Sequence, residues 1–201
     1  VVIHDDRLER TTNGRGAVSS RNWEDLRVLD AGAWFGRAFA GERLWRLEEL
    51  LTWAKKRRTR GGAPLRVIVE IKAKTRAPAV LADRVVSALR NTKMIRRAMV
   101  ISFNHREARR AKVLAPRLPT GLLFSALPWD LPRRMAWAGA DGVFPRYTLV
   151  TRKWVEEAHR RGWYVGTWTV NRRSDVRRLL RFGVDAITSN FPDTVLQLVR
   201  P

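Results

Sequence analysis

The feature that most constrains this chain is an alternation running from Val67 to Val199. Short apolar runs at 67–72, 98–103, 120–124, 142–144, 164–170 and 186–188 are each followed by a segment with apolar residues at helical spacing. Those helical segments fall at 79–89, 106–114, 133–138, 151–161, 174–182 and 193–199, with Ser174 expected as an N-cap and Gly162 and Gly183 as stops. Strand and helix in strict alternation mean a parallel sheet covered by helices. The pattern alone does not separate a closed barrel from an open doubly wound sheet. No G-x-G-x-x-G follows a strand and no G-x-x-x-x-G-K occurs, which argues against dinucleotide and P-loop binding.

The first third reads differently. Val1 to Ile3 form a strand-like start that runs directly into His4-Asp5-Asp6, with neither an initiator Met nor a signal segment before it. The expectation is that sequence precedes Val1. Arg7 to Arg21 is rich in turn formers around Asn13-Gly14 and reads as an ordered loop. Two short aromatic stretches follow, at 23–29 and 31–39, and then a helix over Leu44 to Trp53, broken after KKRRTR by Gly61, Gly62 and Pro64.

A length of 201 residues fits one domain, expected over 1–201 with a loop and short-helix excursion at about 1–43. The 45% hydrophobic and 29% charged content is that of a globular protein. Without cysteine there is no disulfide framework, thiolate metal site or cysteine nucleophile. No apolar run reaches the roughly 20 residues of a membrane span, and the cytoplasm is the default expectation. The net charge of +21 favours anionic partners, including phosphorylated substrates and acidic lipid surfaces. Its clusters lie at KKRRTR (55–60), at Arg109 and Arg110, and along Arg172 to Arg181, beside apolar residues at helical spacing, as on solvated helix faces. No zinc-finger spacing or RNA-binding signature accompanies them, so no specific nucleic-acid partner is expected.

Chemistry-bearing residues gather at the ends of the strand runs. In VIVEIK, Glu70 and Lys72 are two apart and project to one face at the C-terminal end of the run. Ends of parallel strands are where α/β proteins keep their active groups, although a surface strand facing water accounts for the same pair. Ser102 and Asn104, Trp168 and Asn171, and Thr188 to Asn190 occupy comparable positions. His4 ends its own apolar run before two carboxylates, so a carboxylate could orient its imidazole for acid or base work. His105 and His159 are accounted for by packing or solvent.

VVIHDDRLERTTNGRG, DAGAWF, FAGERLWRLEELL, VEIK, ISF, GADGVFP, WTVN and GVDAITSNFPD, in that order, closely resemble the glycerophosphodiester phosphodiesterase family from Val1 to about Asp193. The resemblance implies a (β/α)8 TIM barrel that hydrolyses glycerophosphodiesters to glycerol 3-phosphate and an alcohol with one divalent cation, Ca2+ or Mg2+. It implies that His4 is one of two acid–base histidines, Glu70 one of three metal ligands, Lys72 a phosphate contact and Trp168 a neighbour of the substrate. Such residue types suit the reaction: cations neutralise a phosphodiester whose charge repels nucleophiles, and imidazoles titrate near neutrality.

Measured against that family, the chain lacks the H-R-G and E-x-D segments of the first two barrel strands, and Val1 to His4 then corresponds to the returning arm of a hairpin. The expectation is an N-terminally truncated barrel with about six of eight strands, unable to close, unstable or aggregation-prone, and inactive alone. Trp45 and Arg46 stand where the family usually has Pro-Thr. The competing readings are a catalytically dead barrel that binds phosphodiesters or anionic surfaces, and a basic nucleic-acid-binding protein whose affinity would fall steeply with salt. The phospholipase D toxins share the barrel and the two-histidine logic, but the TTNGRG loop and WTVN resemble the glycerophosphodiesterases better.

Overall fold

The computed structural model describes residues 1–73 and 79–199. The chain divides into two compact units, Val1–Val67 with Ser87–Arg97, and Ile68–Val86 with Ala98–Pro201.

The first unit contains the helices α1 (Trp23–Leu26) and α2 (Leu47–Lys55). Its core is Leu8, Leu26 and Leu44, with Ile3, Val18, Trp23 and Leu29 packed against them. Polar side chains tie the loops together. Asn22 caps α1 by accepting the Asp25 N–H at 2.9 Å, and the Asp30 carboxylate accepts the N–H groups of Gly32, Ala33 and Gly41, each at 2.8 Å. The helix expected from Leu44 begins at Leu47 instead, because Glu49 turns back to accept the Arg46 N–H at 2.8 Å and fixes the first turn there. Leu44 is buried, but in the loop core. Val1 to His4 form no strand; Val2 donates one hydrogen bond to Trp45 O at 2.9 Å, too little to make a ladder.

The alternating region supplies β1 (Val67–Glu70), α3 (Leu81–Asn91), β2 (Ala98–Ser102), α4 (His105–Leu114), β3 (Thr120–Phe124), α5 (Leu131–Ala138), β4 (Gly142–Pro145), α6 (Arg152–Arg160), β5 (Tyr164–Thr167), α7 (Arg173–Phe182), β6 (Ala186–Ile187) and α8 (Pro192–Val199). Among the described residues the six strands form one sheet in the order β1-β2-β3-β4-β5-β6, and the strands from β2 to β6 pair in parallel, with Ile101 opposite Gly121, Leu122 opposite Val143, and Gly166 opposite Ala186. A parallel sheet in sequence order with a helix after each strand is a TIM-barrel-like α/β arrangement.

The two faces of the sheet bury different residues, as the two-residue period of a strand requires. Leu122, Phe124, Val143 and Val165 pack with Met135, Val155, Val176 and Leu179 from the helices. Ile101, Leu123 and Phe144 form a separate cluster joined by Met99, Phe103 and Trp168. Phe144 fills the space over two glycines: a Cβ on Gly121 or Gly166 would lie 2.4 or 2.2 Å from its ring. Ser174 is not an N-cap, since α7 starts one residue before it. Gly183 does end that helix, at φ 81°, a left-handed conformation that glycine adopts without a Cβ clash.

The acidic residues of the GADG and GVDA stretches fasten the strand beginnings. Asp141 accepts the Thr120 N–H at 2.7 Å and the Lys112 ammonium at 2.9 Å. Asp185 does the same for Val165 N–H at 2.7 Å and lies 2.9 Å from His159 Nε2. Both serve the fold, at the opposite end of the strands from the expected chemistry.

Candidate active site

β1 delivers Glu70 as its last residue, and Lys72 follows on the same side, with Nζ 2.8 Å from Glu70 Oε1. Both side chains are about one-third exposed or less. The strand end is clamped to its neighbour: Ile71 N–H donates to Ile101 O at 2.9 Å, and the buried Ser102 hydroxyl donates to Ile71 O at 2.8 Å. Ser102 Oγ also accepts the Asn104 N–H at 3.0 Å, and Asn104 caps α4 through the Arg106 N–H at 3.1 Å. These two rim residues are therefore structural fasteners that hold the Glu70–Lys72 segment in place.

Trp168 follows β5. Its indole Nε1–H donates to Phe144 O at 2.8 Å, and its ring meets Phe103 edge-on, with centroids 5.3 Å apart. Thr167, fully buried, donates to Pro145 O at 2.9 Å and fixes the strand that carries it. Asn171 accepts the Asn190 N–H at 3.0 Å and the Ser189 hydroxyl at 3.3 Å, which joins the segments after β5 and β6.

His4 belongs to the first unit. Its Nδ1 lies 2.6 Å from Asp5 Oδ1, and since a carboxylate oxygen accepts, Nδ1 carries the proton of this hydrogen bond. Arg10 grips Asp5 with two hydrogen bonds, of 2.5 and 2.8 Å. The Arg10 guanidinium first, and then His4, hold the Asp5 carboxyl well below the usual carboxylate range. Arg10 was not a candidate from sequence, because its link to Asp5 spans a loop whose path no local pattern gives away. His105 and His159 are engaged elsewhere: His105 Nε2 lies 3.2 Å from Leu123 O with its ring against Phe124, and burial lowers its pKa.

The cation implied by the family resemblance can be tested against these residues. Glu70 Oε1 is shielded from solvent and, apart from the Lys72 ion pair, has no aligned hydrogen-bond donor among the described residues, which suits a metal ligand. One carboxylate nevertheless supplies at most two of the six to eight oxygens that Ca2+ or Mg2+ takes. No group of three His, Cys, Asp or Glu side chains able to hold a metal ion occurs among the described residues. The described residues thus do not by themselves fit the cation. No helix among them is long and apolar enough to cross a membrane.

Residues 1–194 match the sequence model of the Glycerophosphoryl diester phosphodiesterase family. The chain is 34% identical to a glycerophosphodiester phosphodiesterase of Caldanaerobacter subterraneus subsp. tengcongensis, covering 100% of this chain and 80% of that one. A Bacillus subtilis glycerophosphodiester phosphodiesterase is 28% identical, over 96% of this chain and 69% of its own length. Among solved structures, an Oleispira antarctica phosphodiesterase in complex with the product sn-glycerol-3-phosphate superposes with a TM-score of 0.83 at 24% identity, covering 98% of this chain and 78% of that one. An Agrobacterium tumefaciens glycerophosphodiester phosphodiesterase gives 0.76 at 24% identity, over 97% and 79%. The fold is thus shared with solved phosphodiesterases. The chain belongs to the glycerophosphoryl diester phosphodiesterase family.

Proposed function

We propose that this chain acts on glycerophosphodiesters, splitting them into glycerol 3-phosphate and an alcohol. The observation that carries this is the Glu70–Lys72 ion pair at the C-terminal end of β1, in a chain that matches the family across residues 1–194.

Lys72 neutralises a non-bridging phosphate oxygen, where negative charge is concentrated as the nucleophile attacks phosphorus. Glu70 holds that ammonium in position until the phosphate replaces it as partner. Trp168 offers an indole wall to the glycerol portion, its ring fixed by Phe103 and Phe144 O. His4 moves a proton through Nε2, while Asp5 fixes its tautomer and stabilises the imidazolium. A divalent cation would add charge neutralisation, with Glu70 as one ligand, but the described residues do not complete its site.

Two proton transfers are needed, one from the attacking oxygen and one to the leaving alcohol. His4 covers one. We therefore infer that these 201 residues alone turn over slowly or not at all.

The deciding experiment follows glycerol 3-phosphate release from glycerophosphocholine at high enzyme concentration with Ca2+ or Mg2+ supplied. Slow release is expected, lowered at least about 100-fold by Lys72→Met and by His4→Ala. Binding of glycerophosphocholine without any release would leave a silent, phosphodiester-binding barrel as the correct reading.

A further inference from the structure

A cavity of about 370 Å³ lies beside the N-terminal end of α4 and along α5, lined by Phe103, His105, Arg106, Asp130, Arg133 and Trp137 among others. Its charge is one-sided. Asp130, the lining carboxylate, is already held by Arg134 through a 2.7 Å hydrogen bond. Arg106 and Arg133 are exposed, and among the described residues neither guanidinium is hydrogen-bonded or within ion-pair distance of a carboxylate, although Arg133 acts through space on Asp130 and helps to lower its pKa after the larger effect of Arg134. Some surface arginines have a carboxylate partner, as Arg110 has in Asp83, Arg160 and Arg161 in Glu157, and Arg178 in Asp175, while others, Arg177 and Arg181 among them, have none among the described residues and stand on convex helix faces. Two guanidiniums left open in a concavity are a different matter, because their planar forks match the oxygens of a phosphate.

The apolar wall adds shape. Trp137 is half-exposed with Arg109 stacked 4.6 Å from its ring centroid, which braces the indole. Phe103 lines the cavity and also touches Trp168, so this site adjoins the proposed substrate wall without sharing Lys72 or Glu70. Trp129, 93% exposed, directly precedes Asp130.

We propose that this cavity is a second, phosphate-binding subsite, in which Arg106 and Arg133 clamp the phosphate of an organic phosphate ester and Trp137 covers the carbon portion attached to it. The ester is either a free phosphorylated metabolite or the headgroup of an anionic lipid; the chemistry at the two arginines is the same.

The test titrates the whole chain with inorganic phosphate and with glycerol 3-phosphate at fixed ionic strength, in a Lys72→Met background that removes the proposed active-site contact. The Arg106→Gln/Arg133→Gln pair is expected to weaken binding about tenfold or more, as loss of charge-assisted hydrogen bonds does. An Arg177→Gln/Arg181→Gln pair removes the same charge from exposed positions on α7 and is expected to change affinity less than about twofold. Equal losses in the two pairs would mean that net charge alone attracts phosphate, and the proposal fails. It also fails if Lys72→Met by itself abolishes all phosphate binding, a result that leaves the proposed active site standing. The source is read from sedimentation with phosphatidylglycerol and phosphatidylcholine vesicles. Capture by phosphatidylglycerol alone, lost in the Arg106/Arg133 pair and reduced by Trp129→Ala, upholds the clamp with a lipid headgroup as ligand. Vesicle capture unaffected by these changes, alongside the tenfold loss for glycerol 3-phosphate, upholds it with a free ester.

Discussion

The carboxylate of Glu107, fully buried on α4, accepts the backbone N–H of Ala82 at 2.7 Å, 25 residues away at the start of α3. Its other oxygen accepts the N–H groups of Val80 and Leu81, both at 3.1 Å. One side chain thus satisfies three of the donors that a helix N-terminus leaves open, and its charge lies at the positive end of the α3 dipole. Replacing it strands the buried Ala82 N–H and takes the shared acceptor from the N–H groups of Val80 and Leu81. Glu107→Ala should lower unfolding free energy by about 3 kcal/mol, and Glu107→Gln by about 1 kcal/mol since one acceptor oxygen remains. Urea denaturation measures both, and equal midpoints for wild type and Glu107→Ala would remove this cap from the account.

Acid should act on the loop that carries His4 through two carboxyls. Glu9 accepts the Gly16 N–H at 2.9 Å and the Arg7 guanidinium at 2.7 Å, and the Gly16 bond first, then its own N–H and Arg7, bring its pKa from 4.5 to about 2. Asp5 is lowered by Arg10 and His4 from 3.8. A carboxyl depressed by folding contributes stability that is complete above its unfolded pKa and disappears as pH falls through the folded one. The loop should therefore keep its structure at pH 5 and lose this support on the way down toward pH 2. Carboxyl carbon NMR should give a Glu9 midpoint about two units below an ordinary glutamate, and a midpoint near 4.5 would show that Gly16 does not hold it.

What the sequence made legible was whatever depends on short-range pattern. All six strand runs are strands, because residues such as Val100, Leu122 and Val143 are buried and had to be apolar. The helix ends were less visible: Leu44 looked like part of α2 by spacing, but Glu49 decides where that helix begins. Long-range polar partnerships were not visible at all. Nothing near Glu107 announces that its partners are Val80 to Ala82, and nothing near Asp5 selects Arg10. Glu70 and Lys72 stood out because charges ending an apolar run are unusual, whereas the roles of His4 and Trp168 came from the family landmarks around them.

Trp168 gives a way to separate shape from hydrogen bonding at the rim. Trp168→Phe keeps a ring against Phe103 but removes the donor to Phe144 O, and about 1 kcal/mol of stability should go with it. Trp168→Ala also empties the space beside Phe103 and Phe144 and should cost about 3 kcal/mol. If the indole is the wall for the glycerol portion, Trp168→Phe should raise the Kd for glycerol 3-phosphate only slightly and Trp168→Ala about tenfold. Unchanged affinity in both variants would remove Trp168 from the substrate site and leave it a packing residue.

Among the described residues, too few oxygens converge at Glu70 to hold a divalent cation tightly. Calcium is held tightly where several carboxylates and carbonyls converge in one rigid loop, and weak sites still use more than one charged ligand. The described residues offer Glu70, whose Oε1 is already compensated by Lys72 at 2.8 Å, so a cation arriving there would compete with an ammonium for one carboxylate. Titration of the 201-residue chain with Ca2+ or Mg2+ should show no saturable site tighter than about 10⁻³ M. Lys72→Met removes the competitor and should strengthen binding modestly, while Glu70→Gln should abolish what there is. A micromolar site in the wild-type chain that Glu70→Gln destroys would mean that the remaining ligands are within these residues after all, and would return the cation to the mechanism.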